Sequence, residues 1–204
     1  MSRISTAAIG SISVTTLRDG ERTLPPEALK NLSNEDAAKI NSDDNQSLTF
    51  TNFNACVIQN GTQNLLVDTG CGNLFGPTCG FILDALDELD LTSDDITDIF
   101  ITHLHPDHIG GCIDEDSSAV FKNASFKIVE EEYNFWTSKE FGSDEINGTD
   151  WSSLAKKVLS AYNDRLEVLT GQIDIISGVS TVPLPGHTPG HSGFRVDDGN
   201  QSMF

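Results

Sequence analysis

Positive charge is scarce in this sequence. The 204 residues include 12 lysines and arginines against 31 acidic residues, which gives a formal net charge of −19. Binding to nucleic acid by phosphate neutralisation requires a basic surface, and a field of this sign repels the phosphate backbone. The charge balance therefore excludes a nucleic-acid-binding function, and we interpret the acidity as a solvated surface.

Long hydrophobic runs are missing too. Residues 1–10 lack the continuous apolar segment of a signal peptide, and no run approaches membrane-spanning length. We therefore expect a soluble, cytoplasmic protein with no membrane partner. The length suits a single domain, 1–204.

Cysteines are few and lack a metal-binding spacing. The four of them, Cys56, Cys71, Cys79 and Cys112, lie in apolar or glycine-rich settings without the paired spacing of a zinc finger. The sequence predicts reduced thiols. A disulfide bond between Cys71 and Cys79 is the alternative, because the two residues are close in sequence.

Histidines, by contrast, are concentrated. The first cluster is Thr102–Gly111, which carries His103, His105, Asp107 and His108 directly after the apolar run Ile99-Phe100-Ile101. Such a run predicts a buried strand that ends in a loop. At a strand end, residues i and i+2 point the same way, so His103 and His105 can converge on one ion. Pro106 stiffens the following bend and lets Asp107 and His108 face a different point.

The second cluster, 185–192, holds the other two histidines, His187 and His191, after the strand-like run 179–184. A catalytic zinc usually takes three protein ligands and keeps one position open for water, and His103, His105 and His187 would form that set. We interpret His191 as bracing its loop by hydrogen bonds.

Asp107 and His108 then remain for a second metal, where Asp107 would also orient the nucleophile or carry its proton as the catalytic residue. Imidazole and carboxylate without thiolate suit zinc, with iron, manganese or cobalt as alternatives.

Three further residues are candidates around this centre. Asp68 ends the strand-like run 63–67 and could hydrogen-bond a ligand histidine or cap the next loop. Phe75, in a glycine-rich loop, and Trp136 are candidates for an apolar substrate-pocket wall. Ordinary packing is the alternative for both aromatic residues.

Local patterns predict the main elements. Strands are expected near Ile12 and over 53–59, 63–67, 166–169, 173–176 and 179–184, helices over 81–89, 130–136 and 151–162, and a last hairpin over 193–204. Segment 24–40 has a helical pattern and would wrap the pocket or a partner subunit, which suggests a homodimer.

The two histidine clusters together resemble the metallo-β-lactamase superfamily: His103-Leu-His105-Pro-Asp107-His108 with Gly110-Gly111, then Gly186-His187-Thr-Pro-Gly-His191. Further stretches resemble its methyl parathion hydrolase, lactonase-like branch: 19–20, 24–29, 68–70, 74–78 and 134–136. The resemblance implies an α/β fold, the αββα sandwich, with a two-metal site at one edge of the sheets. It also implies that a metal-activated hydroxide attacks a small-molecule ester, lactone, thioester or phosphotriester.

The family pattern also expects a bridging aspartate and a last histidine after the second cluster, and the sequence to Phe204 contains neither. We therefore expect a sandwich whose second half lacks its C-terminal part, with one Zn²⁺ in this chain and two in the complete enzyme. The same histidine loops would also suit a single-iron persulfide dioxygenase, a glyoxalase-II-like thioesterase, or an inactive metal-binding fragment.

Overall fold

Two β-sheets pack face to face in the computed structural model, which describes residues 2–23, 33, 35, 50–138 and 150–204. The first sheet has the spatial order β1 (Ile4–Ile9), β2 (Ile12–Thr23), β3 (Phe50–Asn60), β4 (Gln63–Val67), β5 (Asp98–Phe100), β6 (Ser125–Val129) and β7 (Leu166–Leu169). The second sheet comprises β8 (Asp174–Ile176), β9 (Val179–Pro183), β10 (Ser192–Asp197) and β11 (Ser202–Met203), in the spatial order β11-β10-β9-β8.

The first sheet changes direction at β4. Strands β1 to β4 pair antiparallel, and the turns from β1 to β2 and from β3 to β4 are short, with Gly10 and Gly61 at φ angles of +59° and +61°. Such φ values suit glycine in two-residue hairpins. From β4 to β7 the pairs are parallel, so longer crossovers are needed between the strands.

The crossovers carry the helices. These are α1 (Ile82–Asp87), α2 (Pro106–Ile109), α3 (Glu130–Thr137) and α4 (Trp151–Ala161), with short 3₁₀ turns at Ser93–Asp95 and Asn163–Arg165. Asp150 caps α4 by accepting a hydrogen bond from the Ser153 N–H at 2.9 Å.

The core has two layers, one on each face of the first sheet. Leu66 and Ile99 pack with the helices, whereas Leu65, Val67 and Phe100 pack against the second sheet. Successive residues of β4 and β5 thus point to opposite faces of the sheet, and both faces are buried. This explains why the sequences of these strands are almost entirely apolar.

The parallel strands place two functional loops at one sheet edge. β4 and β5 run the same way, so Asp68 and the first histidine cluster leave the sheet side by side. The second sheet reaches the same edge, where the Ser192 N–H donates to the Thr102 carbonyl at 3.1 Å.

Most predicted elements are confirmed to within one to three residues at their ends, including α1, α3, α4 and the strands of the second sheet. β1 was not predicted. Segment 24–40 lies outside the described residues except for Ser33 and Glu35. All four cysteines are free thiols. Within the described ranges, no helix combines the length and apolar character needed to cross a membrane.

Candidate metal centre

Both histidine clusters meet at a single point. The ring centroid of His103 lies 4.0 Å from that of His108, 4.6 Å from that of His105, and 4.8 Å from those of His187 and His191. His103 is therefore the centre of the group. All five histidines of the sequence contribute to one site.

Three of these imidazoles are spaced as potential metal ligands. One ligand atom from each of His103, His105 and His187 lies within 4.8 Å of the others. Between the first two, Leu104 is fully buried in the helix-side core. The i, i+2 alternation therefore continues past β5, as the sequence predicts.

The electrostatics of His103 fit a metal ion. The residue is 2% exposed, and its Nε2 has no hydrogen-bond partner among the described residues. Burial, reinforced by the neighbouring imidazoles, strongly lowers its pKa. Burial and His187 likewise lower the pKa of His105 to about 4. Near neutral pH these rings are uncharged, so their lone pairs are available to a divalent cation, which would satisfy the orphaned nitrogen.

His108 lies between two carboxylates. Its Nδ1 donates to Oδ2 of Asp68 at 2.7 Å, and its Nε2 is 3.4 Å from Oδ2 of Asp107. Burial opposes the charged imidazole, but these two acids more than offset it and raise the pKa of His108 to about 10. Burial also acts on Asp107, yet the contact with His108 prevails and lowers the pKa of Asp107. The two carboxylates thus favour a positive charge at this point, which a divalent cation on His108 would supply once Nε2 gives up its proton.

Asp68 joins two loops as well as contacting His108. Its carboxylate accepts the Thr102 N–H at 2.9 Å and the Thr102 hydroxyl at 2.8 Å. Its φ of +59° is a conformation that aspartate tolerates better than most residues. Of the two roles considered from sequence, the geometry fits the hydrogen bond to a histidine.

Gly110 and Gly111 let the histidine loop pack directly on the loop after β4. A Cβ at Gly110 would lie 2.2 Å from the Cys71 carbonyl oxygen, and one at Gly111 would lie 2.1 Å from the Thr69 carbonyl oxygen. No side chain fits at either distance. The glycine pair therefore sets the separation of the two loops.

The structure corrects the expected location of Trp136. Its side chain is fully buried, with the indole N–H donating to Glu132 at 2.6 Å and the ring edge-on to His105 at 5.7 Å. Trp136 therefore packs behind a histidine instead of forming an open pocket wall. Phe75 packs on Phe53 at a centroid distance of 5.5 Å, and its contribution to a pocket stays a prediction.

Glu132 was missed from sequence. It follows Glu130 and Glu131, and such a run is typical of a solvated first helical turn, yet Glu132 is fully buried. One signal was available: Glu132 and Trp136 are spaced i, i+4 and so share a helix face.

A cavity of about 560 Å³ lies beside the glycine-rich loop, lined by Asp19, Thr69, Phe81 and Asp114 among others. None of the described residues that line it is a histidine. It does adjoin the first histidine cluster, because Gly110 and Gly111 are among its lining residues.

A two-sheet sandwich that gathers histidine and aspartate loops at one edge is the architecture of a metal-dependent hydrolase. The chain belongs to the metallo-beta-lactamase superfamily, whose family model matches residues 48–203. The predicted fold class and a metallo-hydrolase activity are thereby confirmed.

Solved structures agree with this assignment. AidC, a dizinc quorum-quenching lactonase in complex with a product, has 25% identity and a TM-score of 0.84, with 98% of this chain and 72% of that chain covered. The hydrolase AbOPH of the beta lactamase superfamily has 24% identity and a TM-score of 0.83, covering 99% and 72%. A probable metal-dependent hydrolase from Staphylococcus aureus has 22% identity and a TM-score of 0.80, covering 97% and 73%. No curated protein sequence matches the chain.

Proposed function

We propose that this protein is a zinc-dependent hydrolase of small, uncharged esters, with lactones as the favoured class and aryl esters and phosphotriesters as further substrates. His103, His105 and His187 would hold one ion. The observation that supports this most strongly is the buried, unpaired Nε2 of His103, whose ring lies 4.6 Å from that of His105 and 4.8 Å from that of His187. A buried nitrogen without a hydrogen-bond partner lowers the stability of the fold unless a ligand binds it.

A second ion would be held by Asp107 and His108. When bound, the metal pair supplies a water of lowered pKa and polarises the carbonyl or phosphoryl oxygen. Asp68 contributes by accepting the Nδ1–H of His108, which leaves Nε2 of His108 turned toward Oδ2 of Asp107. Asp107 would then orient the nucleophile and accept its proton at a carboxylate oxygen.

The substrate class rests on charge and on similarity. The net charge of −19 disfavours anionic substrates, because the field of the protein repels them on approach. AidC, at 25% identity, is a lactonase. Both observations favour an uncharged cyclic or aryl ester, and the hydroxide mechanism extends to phosphotriesters.

Metal analysis combined with a substrate panel tests the proposal. The purified chain should contain zinc, and His103→Ala and His187→Ala should each lose most of it, while the exposed-site control Lys122→Ala should not. Hydrolysis of a lactone and an aryl ester should disappear with a chelator and return with zinc. Unchanged metal content in both histidine variants would refute the ligand assignment. Iron with oxygen-dependent turnover of a persulfide, or turnover of a thioester alone, would refute the proposed reaction.

A further inference from the structure

Glu132 is a fully buried carboxylate with four hydrogen-bond donors around it. Oε1 accepts the Leu104 N–H at 2.9 Å and the Trp136 indole N–H at 2.6 Å. Oε2 accepts the Thr188 hydroxyl at 2.5 Å and the Gly190 N–H at 3.2 Å. Burying an ionised carboxylate is costly without such bonds, so this network is what keeps Glu132 in the interior.

Three of these four donors belong to residues that lie between two histidines in the sequence. Leu104 separates His103 from His105 in the first cluster. Thr188 and Gly190 lie between His187 and His191 in the second. One carboxylate therefore ties together the two loops that carry the proposed zinc ligands, with one oxygen for each loop.

The second loop is seated directly on α3. A Cβ at Gly190 would lie 2.1 Å from the backbone nitrogen of Glu132, so only glycine permits this approach. A second link between the same two loops is the backbone hydrogen bond from the Ser192 N–H to the Thr102 carbonyl. With both links in place, the loop of His187 has little freedom to move away from His103 and His105.

We propose that Glu132 is a positioning residue for the metal centre: it fixes the separation of His187 from the His103–His105 pair, and so sets the zinc affinity. The inference rests on the proposed function, in which those three histidines hold an ion. None of the four donors is itself an imidazole, so Glu132 acts through the backbone and Thr188.

Glu132→Gln is the direct test, because it keeps the size but replaces one acceptor oxygen by an amide that donates. On the Oε1 side the amide would face two N–H donors; on the Oε2 side it would face the Gly190 N–H, while the Thr188 hydroxyl could turn to accept its hydrogen. In either orientation the hold on one loop should weaken. Zinc dissociation should be measured by chelator competition, the ligand geometry by the visible absorption of the Co²⁺-substituted protein, and the stability by metal-free melting. The dissociation constant should rise about 10- to 100-fold, as is typical when support behind metal ligands is lost, and the Co²⁺ spectrum should change.

Two further variants and a control isolate the loop connection. Thr188→Val removes one of the two bonds from Glu132 to the second loop, leaving that of the Gly190 N–H, and should weaken zinc binding several-fold, whereas Thr188→Ser keeps the hydroxyl and should retain wild-type affinity. The control is Asp98→Asn, which removes a buried carboxylate paired with Lys127 at 2.9 Å at the start of β5. It should lower the melting temperature but leave zinc affinity within about twofold, since additivity holds for distant sites.

The outcomes separate the two proposals. If the wild-type protein binds zinc and Glu132→Gln and Thr188→Val melt earlier with unchanged affinity and spectrum, Glu132 is structural only and this inference is overturned. The proposed function then stands. If Glu132→Gln does not fold, Thr188→Val and Thr188→Ser test the inference instead. Unchanged zinc affinity and Co²⁺ spectrum in Thr188→Val would overturn it. A wild-type protein that binds no zinc overturns both.

Discussion

Nδ1 of His108 donates a hydrogen bond to Oδ2 of Asp68 across 2.7 Å, from the loop after β5 to the end of β4. The same carboxylate accepts the backbone N–H of Thr102, so the ring and the loop that carries it are fixed by one side chain. The orientation of His108 thus depends on a residue far away in sequence.

Asp68→Asn is expected to disorder His108 without unfolding the protein. Asparagine tolerates the φ of +59° at this position, but its amide cannot accept bonds at both ends. Ester hydrolysis should fall about 10- to 100-fold, as seen when outer partners of metal-ligating histidines are lost, and any ion held by Asp107 and His108 should be lost while the ion of the three-histidine site remains. Activity assays and metal analysis give the result.

Asp90→Asn serves as the matched control, because Asp90 is exposed and has a similar φ of +56°. It should behave as wild type. Equal activity in both variants would show that the bond from Asp68 to His108 has no part in catalysis.

Asp107→Asn addresses the second ion. It retains the size and one oxygen but removes the negative charge that a second dication requires. The variant should keep about one zinc and lose hydrolysis by a factor on the order of a hundred or more, as when a principal charge-stabilising group is removed. Retention of two ions with near-normal turnover would show that Asp107 neither holds the second ion nor takes part in catalysis, whereas activity that depends on one iron would favour the single-iron alternative.

His191→Ala tests whether His191 only supports its loop or also binds the metal. The ring of His191 is 4.8 Å from that of His103, but it is not a member of the three-imidazole group. We expect zinc stoichiometry to stay close to wild type while the melting temperature falls, whereas His187→Ala should lose the metal. A loss of zinc in His191→Ala equal to that in His187→Ala would make His191 a ligand.

Gly110→Ala should destabilise the protein because its Cβ would lie 2.2 Å from the Cys71 carbonyl oxygen. Overpacking of this kind costs about 1–3 kcal/mol, measurable by denaturant unfolding. Gly193→Ala is the control: a Cβ there meets only the flexible Leu184 side chain, at 3.0 Å. If the two variants are equally stable, the two loops are not in tight contact.

The grouping of the histidines can be predicted from the sequence because its determinants are local. The i, i+2 spacing of His103 and His105 survives folding unchanged, and a glycine pair so close to metal-ligand side chains has few other uses. The meeting of both histidine clusters was expected because a catalytic zinc takes three protein ligands, and the ring distances now give it in detail.

The supporting residues were harder to predict, for a physical reason. Which of three consecutive glutamates is buried depends on how α3 docks, and that is decided by tertiary contacts to Leu104 and Thr188 far away in the chain. Trp136 was placed at a pocket wall because aromatic residues suit such walls, but its indole N–H found a buried acceptor instead. β1 was missed because its exposed residues alternate weakly.

The location of His187 on the second sheet also affects the order of folding. His103 and His105 follow β5 of the first sheet, whereas His187 lies between β9 and β10. Such non-local contacts form late, because the long intervening segment must close first. An intermediate that has only the first sheet would therefore present two members of the three-imidazole group, His103 and His105, and the third arrives when β9 and β10 dock. Tight zinc uptake during refolding would consequently report the last packing step of the sandwich rather than its first.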